Sequence, residues 1–172
     1  MKFIKTALTT IAISTLAISA QAQDSGAYVN LGVQTLEFDT YNILGRVGYN
    51  FNEYFGVEAE GSIGIFGEEE DGIEIDTPYS LGGFAVARFP LTQKFDIFGR
   101  VGYSIVNLEV GVEDFGEVDE NVDGVGFGGG IEYSFNDSNG VRLGYTYQTL
   151  SDFDDIEVGN ASVFDISYVR KF

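Results

Sequence analysis

What most limits the fold of this 172-residue chain is a period of two. Apolar residues take alternate positions in one segment after another: Ala27, Val29, Leu31 and Val33 against Tyr28, Asn30, Gly32 and Gln34, then Ile43, Gly45, Val47, Tyr49 and Phe51 against Leu44, Arg46, Gly48 and Asn50. The same alternation fills 55–65, 79–89, 95–105, 124–135, 141–148 and 164–172, which with 27–33 and 43–51 predicts eight strands. Past Gln23 no stretch keeps a 3.6-residue hydrophobic period, and no apolar run is long enough for a membrane helix. The chain reads as all-β.

Alternation serves a soluble sheet and a membrane barrel equally well, so charge and length have to decide between them. Arg46, Arg88, Arg100, Arg142 and Lys171 all fall on the polar face, together with Glu58, Glu60, Asp96, Glu132 and Asp165. The rest of that face is mostly glycine and hydroxyl residues, which suits the crowded lumen of a narrow barrel. Most of the segments run 9 to 12 residues, near the ~9 to 11 of a tilted membrane strand and above the ~5 to 6 usual in soluble sheets. A charge in such a lumen costs several kcal/mol unless it is paired. Arg46, Arg88, Arg100 and Arg142 are therefore expected to meet Glu58, Glu60, Asp96 and Glu132 in a polar network across the barrel.

The connections alternate in length. Asn52–Tyr54, Pro90–Lys94 and Asn136–Gly140 are short and built of turn residues, whereas 35–42, 67–78, 107–123 and 150–160 are longer and hold 19 of the 27 carboxylates. In a membrane barrel the short turns face the periplasm and the long loops face outside. Tyr49, Phe51, Phe55, Phe89, Phe95, Tyr133, Phe135 and Phe172 gather on the apolar face at the short-turn end, where an aromatic girdle belongs. The expectation is an eight-stranded antiparallel up-and-down transmembrane β-barrel with short periplasmic turns and longer acidic extracellular loops.

Residues 1–22 stand apart. Lys2 and Lys5 precede an apolar stretch from Ala7 to Ile18, and Ala20-Gln21-Ala22 forms an A-x-A cleavage site. This is the pattern of a cleaved signal peptide; the hydrophobic stretch is too short and too rich in Ser and Thr to span a bilayer. The barrel domain is then 23–172. Composition removes several kinds of function. With no Cys and no His there is no thiolate nucleophile, His-based triad, zinc finger or disulfide scaffold. Nine Lys and Arg against 27 Asp and Glu give the wrong sign of field for nucleic acid. No cofactor is expected.

Three motifs are read against their plainer alternatives. Gly124-Val125-Gly126-Phe127-Gly128-Gly129 fits G-x-G-x-x-G but lies inside a strand rather than between a strand and a helix, so it is wall glycine and not a dinucleotide site. Asp119-Glu120-Asn121-Val122-Asp123-Gly124 matches half of an EF-hand loop, yet Gly130 stands where the bidentate Glu should be. What survives is weak Ca²⁺ or Mg²⁺ binding by Glu113, Asp114, Asp119, Asn121 and Asp123, against the reading of solvated charge. Asn160-Ala161-Ser162 is a chance sequon.

Gly45-Arg46-Val47-Gly48-Tyr49-Asn50-Phe51, Ala87-Arg88-Phe89-Pro90-Leu91-Thr92-Gln93-Lys94-Phe95 and the terminal Tyr168-Val169-Arg170-Lys171-Phe172 resemble the small OmpA/OmpX-type outer-membrane β-barrels of Gram-negative bacteria. The likeness spans residues 27–172, and Gly45-Arg46-Val47-Gly48-Tyr49 is echoed by Gly99-Arg100-Val101-Gly102-Tyr103. The resemblance is to the barrel alone, and the peptidoglycan-binding domain of the larger members is not expected here. The resemblance implies an outer-membrane location, lipid around the wall, and a monomer. It also implies an assembly signal at Tyr168 and Phe172 read by the barrel assembly machinery, with Arg170 where an apolar residue is common. The family's enzymes generally use a histidine, so the chain is expected to be non-enzymatic. The role implied is structural or surface-interacting, with an unidentified surface partner; the alternative is a narrow passive pore passing ions or small ligands.

Overall fold

A computed structural model describes residues 26–36, 40–66, 68–70, 73–112, 116–150 and 159–172; within 66–78 and 108–121 it gives the backbone alone. The strands are β1 (Gly26–Leu36), β2 (Thr40–Asn50), β3 (Phe55–Phe66), β4 (Glu68–Glu70), β5 (Ile73–Pro90), β6 (Phe95–Val112), β7 (Gly116–Asn136), β8 (Asn139–Leu150) and β9 (Asn160–Lys171). Each pairs antiparallel with its neighbours in the order β3-β2-β1-β9-β8-β7-β6-β5-β4, and β3 also pairs with β5. That last ladder, from Phe55 against Ala87 to Ile63 against Tyr79, closes the sheet on itself. β4 is a three-residue arm that continues β3 alongside Ile73–Ile75. The barrel has eight staves.

Closure turns period two into two environments. Odd-numbered residues of β1, β2 and β3 point outward, so Leu31, Val47, Phe55 and Ile63 are each about three-fifths exposed. This apolar outer wall would be untenable in water and is the surface a bilayer covers. The even-numbered set of the same staves points into the lumen, where Tyr28, Leu44, Asn42 and Arg46 are buried.

The short turns are held by their own side chains. Asn52 Oδ1 accepts the amides of Tyr54 and Phe55 at 2.8 and 2.9 Å. Thr92 Oγ1 accepts those of Lys94 and Phe95 at 3.2 and 3.1 Å, and Asn136 Oδ1 accepts that of Ser138 at 3.1 Å. Each side chain satisfies amides that the hairpin leaves unpaired. Beside these turns the aromatic residues pack edge to face or tilted, Tyr49 on Phe51, Phe95 on Tyr133 and Tyr133 on Phe135.

The opposite end differs from the expected loops. Where 67–78 and 107–123 read as acidic loops, the backbone stays extended: β5 starts at Ile73, β6 runs to Val112 and β7 begins at Gly116. Likewise β1 reaches Leu36 and β2 starts at Thr40, inside the expected loop 35–42. The β6–β7 ladder is unbroken from Phe95 against Tyr133 to Val112 against Gly116. An antiparallel ladder needs backbone partners and not apolar side chains, so it continues where the hydrophobic alternation stops.

Candidate functional site

The lumen holds the chain's densest chemistry. Arg46, Arg88, Arg100, Arg142, Glu58, Glu60, Glu132 and Asp165 are all buried there. The strand period turns each of them inward, and barrel closure brings the different staves within reach of one another. Arg46 Nε donates to Glu60 Oε2 at 2.5 Å, and its two terminal nitrogens fork onto Asp165 at 2.8 and 2.9 Å. Arg100 Nη1 donates to the same Glu60 oxygen at 2.6 Å, and its Nε to Thr146 Oγ1 at 3.0 Å. The two arginines of the repeated Gly-Arg-Val-Gly-Tyr segment thus converge on one carboxylate.

A second centre lies toward the short-turn end. Glu132 Oε2 accepts from Arg88 Nη1 at 2.9 Å and from Arg142 at 3.1 and 3.2 Å, while its Oε1 lies 2.7 Å from Lys171 Nζ. Glu58 accepts from Arg142 and, at 2.6 Å, from the Tyr28 hydroxyl. Its other oxygen is 3.5 Å from Arg100, which joins the two centres. Aromatic rings fill the space around the guanidinium groups: Arg100 lies 3.9 Å from the Phe84 ring centroid, Arg142 4.5 Å from that of Phe98 and Arg88 4.8 Å from that of Tyr28. Stacking of this kind suits arginine, whose planar charge is weakly hydrated.

Glycine in the wall makes room for these rings. A Cβ on Gly48 would sit 2.2 Å from Tyr28 Cζ, and one on Gly126 would sit 3.1 Å from Phe84. The lumen is therefore not only glycine and hydroxyl. Tyr28, Leu44, Phe84, Val86, Phe98 and Val169 form an apolar packing between the charges.

Seven of the eight residues expected in the network, Arg46, Glu58, Glu60, Arg88, Arg100, Glu132 and Arg142, come together in it. Asp96 forms no ion pair with an arginine among the described residues: it is half-buried opposite Glu132 in the β6–β7 register, with Lys171 also near it. Asp165 and Lys171 supply the pairings that the expectation left out. Counting Asp96, the described lumen sets four arginines and Lys171 against five carboxylates.

Toward the other end the described lumen side chains are neutral. Gln34 Nε2 donates to Ser62 Oγ at 3.0 Å, and Ser62 shares a 2.7 Å hydrogen bond with Ser80. Of the candidate cation ligands, Glu113 and Asp114 lie outside the described residues. Asp119, Asn121 and Asp123 are alternate positions of the extended β7 rather than parts of a loop, paired with Glu109, Asn107 and Ile105. Asp123 accepts a hydrogen bond from the Tyr103 hydroxyl. Among the described residues no group of three or more acidic side chains is spaced to hold a metal. Tyr168 and Phe172 face the lipid side, each about half exposed, and Tyr168 and Arg170 both donate to Asn139 Oδ1.

The fold recurs among solved structures. The attachment invasion locus protein Ail of Yersinia pestis aligns with a TM-score of 0.64 and 15% identity over 87% of this chain and 99% of that one. The N-terminal β-barrel domain of Pseudomonas aeruginosa OprF aligns with a TM-score of 0.66 and 11% identity over 88% and 100%. Neisserial surface protein A aligns with a TM-score of 0.60 and 15% identity over 86% and 96%. At such identities the likeness carries the fold alone. No curated protein sequence matches. The family model of the outer membrane protein β-barrel domain matches residues 8–172, so the chain belongs to that outer-membrane family.

Proposed function

We propose that the protein is a non-conducting, non-enzymatic barrel that anchors an acidic surface on the outer membrane. The observation that carries this reading is the lumen network: among the described residues, buried cations and carboxylates in equal number, interlocked through Glu58, Glu60 and Glu132 and wedged by Tyr28, Phe84 and Phe98. Eight staves leave an interior just wide enough for side chains to fill it. A solute would have to break several low-dielectric ion pairs at once, each costly to leave uncompensated. The pore alternative finds less support in this packing.

In the proposed orientation the short turns lie in the periplasm and the 19 carboxylates of 35–42, 67–78, 107–123 and 150–160, with no Lys or Arg among them, lie outside. Residues 1–22 act as the cleaved export signal, and Tyr168 and Phe172 present the last strand to the assembly machinery. Ail was solved with the heparin analogue sucrose octasulfate; the rim here has the opposite charge preference and favours cationic partners. Liposome swelling tests the scaffold reading. Vesicles carrying the folded protein should swell in small neutral solutes no faster than protein-free vesicles, and faster, solute-size-dependent swelling would overturn it.

A further inference from the structure

Seven of the eight lateral ladders in the barrel join strands that follow one another along the chain, so a connection of fixed length limits how they slide. The β1–β9 ladder is different. It joins the first strand to the last, Tyr28 against Lys171 through Leu36 against Val163, with no connection to set its register. Hydrophobic patterning cannot set it fully either. A slip of one residue would turn the apolar face inward, but a slip of two preserves the alternation, because outward Leu31, Val33 and Thr35 face outward Tyr168, Ile166 and Phe164.

Side chains reach across this seam from both flanks. Arg142 of β8 lies 5.5 Å from the Tyr28 ring centroid of β1 and bonds Glu58. On the other flank a two-point contact has a geometry that a two-residue slip would destroy. Arg46 of β2 passes over β1 and forks onto both oxygens of Asp165 of β9, at 2.8 and 2.9 Å, with both side chains almost fully buried. In register Arg46 stands opposite Asn30, and Asp165 opposite Gln34. The inward position of β1 between those levels is Gly32, which has no side chain to obstruct the bridge. Gly144 gives Asp165 its place on the other flank: a Cβ there would lie 2.2 Å from the carboxylate. A slip by two would bring Val163 or Ser167 to the Asp165 level. Neither can receive the fork, and Arg46 would keep only Glu60.

We propose that the Arg46–Asp165 pair is the register key of barrel closure, selecting one pairing of first and last strands. A buried ion pair is a poor source of net stability beside a well-packed apolar substitute, and its best-attested use is to specify register. The pair sits where no covalent connection sets the register.

Because the native chain has no cysteine, engineered cysteine pairs can report the register of the folded protein in lipid vesicles. Val33→Cys is combined in turn with Ile166→Cys, Phe164→Cys and Tyr168→Cys; 33 and 166 are opposite in the ladder. A two-residue slip moves the partner about 7 Å along the strand, on top of the ~5 Å between strands, which puts it beyond disulfide reach. In the native background the 33–166 disulfide should form and the other two should not. In the Asp165→Asn background, isosteric but unable to accept both arms of the fork, and in Arg46→Met with Asp165→Leu, a shifted disulfide should appear. Arg100→Met serves as a control, because Arg100 bonds Glu60, Glu58 and Thr146 and stacks on Phe84, with no partner on β1 or β9 among the described residues, and it should leave 33–166 alone. The proposal fails if both key variants, or Asp165→Asn where the double variant does not fold, yield only the 33–166 disulfide. It fails equally if the control shifts the seam as much as the key variants do.

Discussion

Glu58 shows how much rests on single lumen side chains. It faces Arg142, Arg100 and Arg88 at once and takes the Tyr28 hydroxyl. Glu58→Leu would strand buried guanidinium charge and should lower the unfolding free energy in lipid by about 3 to 5 kcal/mol, as removal of one partner of a buried pair does. Ser104→Ala should be nearly neutral, since that hydroxyl is buried without a hydrogen bond and its loss leaves no partner unpaired. On the outer face Val101→Arg should cost roughly 2 to 4 kcal/mol by placing a charge in the hydrocarbon. Urea titration of vesicle-folded protein measures all three, and a Glu58→Leu variant as stable as the native protein would contradict the network. At this scale the sequence shows which residues turn inward, because parity alone decides that. It does not show that Arg46 takes Asp165 while Asp96 sits beside Glu132. Partners across the lumen depend on strand tilt and stagger, which period two does not encode.

Among the strands, steric fit separates glycines that look alike in sequence. A Cβ on Gly48 would enter the Tyr28 ring, whereas one on Gly83 would meet nothing within 4 Å. Gly48→Ala should cost about 1 to 3 kcal/mol through overpacking and Gly83→Ala should be close to silent, both read from the same urea curves. Equal effects would mean that the Tyr28 ring does not lie on that wall. The extended ends of β6 and β7 make a further prediction. Amides of 109–112, in ladder with 116–119, should resist hydrogen exchange well beyond the rate of an open loop, and exchange at the unstructured rate would contradict the ladder. Sequence reading placed the membrane-level parts of these strands and missed their extensions. The carboxylates there, among them Glu109, Glu117 and Asp119, erase the apolar alternation, while the backbone pairing that defines the strand leaves no mark in composition.

For the whole molecule the decisive feature is how charge is divided. Among the described side chains, five carboxylates face the lumen beside five cations. Of the basic residues after Gln23, only Lys94 and Arg170 lie outside it. The described lumen is therefore neutral, and in the proposed orientation the net negative charge is carried at the outer end by the 19 carboxylates of 35–42, 67–78, 107–123 and 150–160. Vesicle-embedded protein should bind a polycation such as polylysine, with affinity falling as salt rises, and should ignore sucrose octasulfate. Binding of the polyanion would contradict the proposed rim.

The central claim is that a neutral, interlocked network seals the lumen, and current recording in planar lipid bilayers tests it most directly. Folded native protein, its insertion verified by altered gel migration before and after boiling, should give no conductance steps above the bare membrane. Stable, reproducible open levels from the native protein would contradict the account and make the barrel a pore.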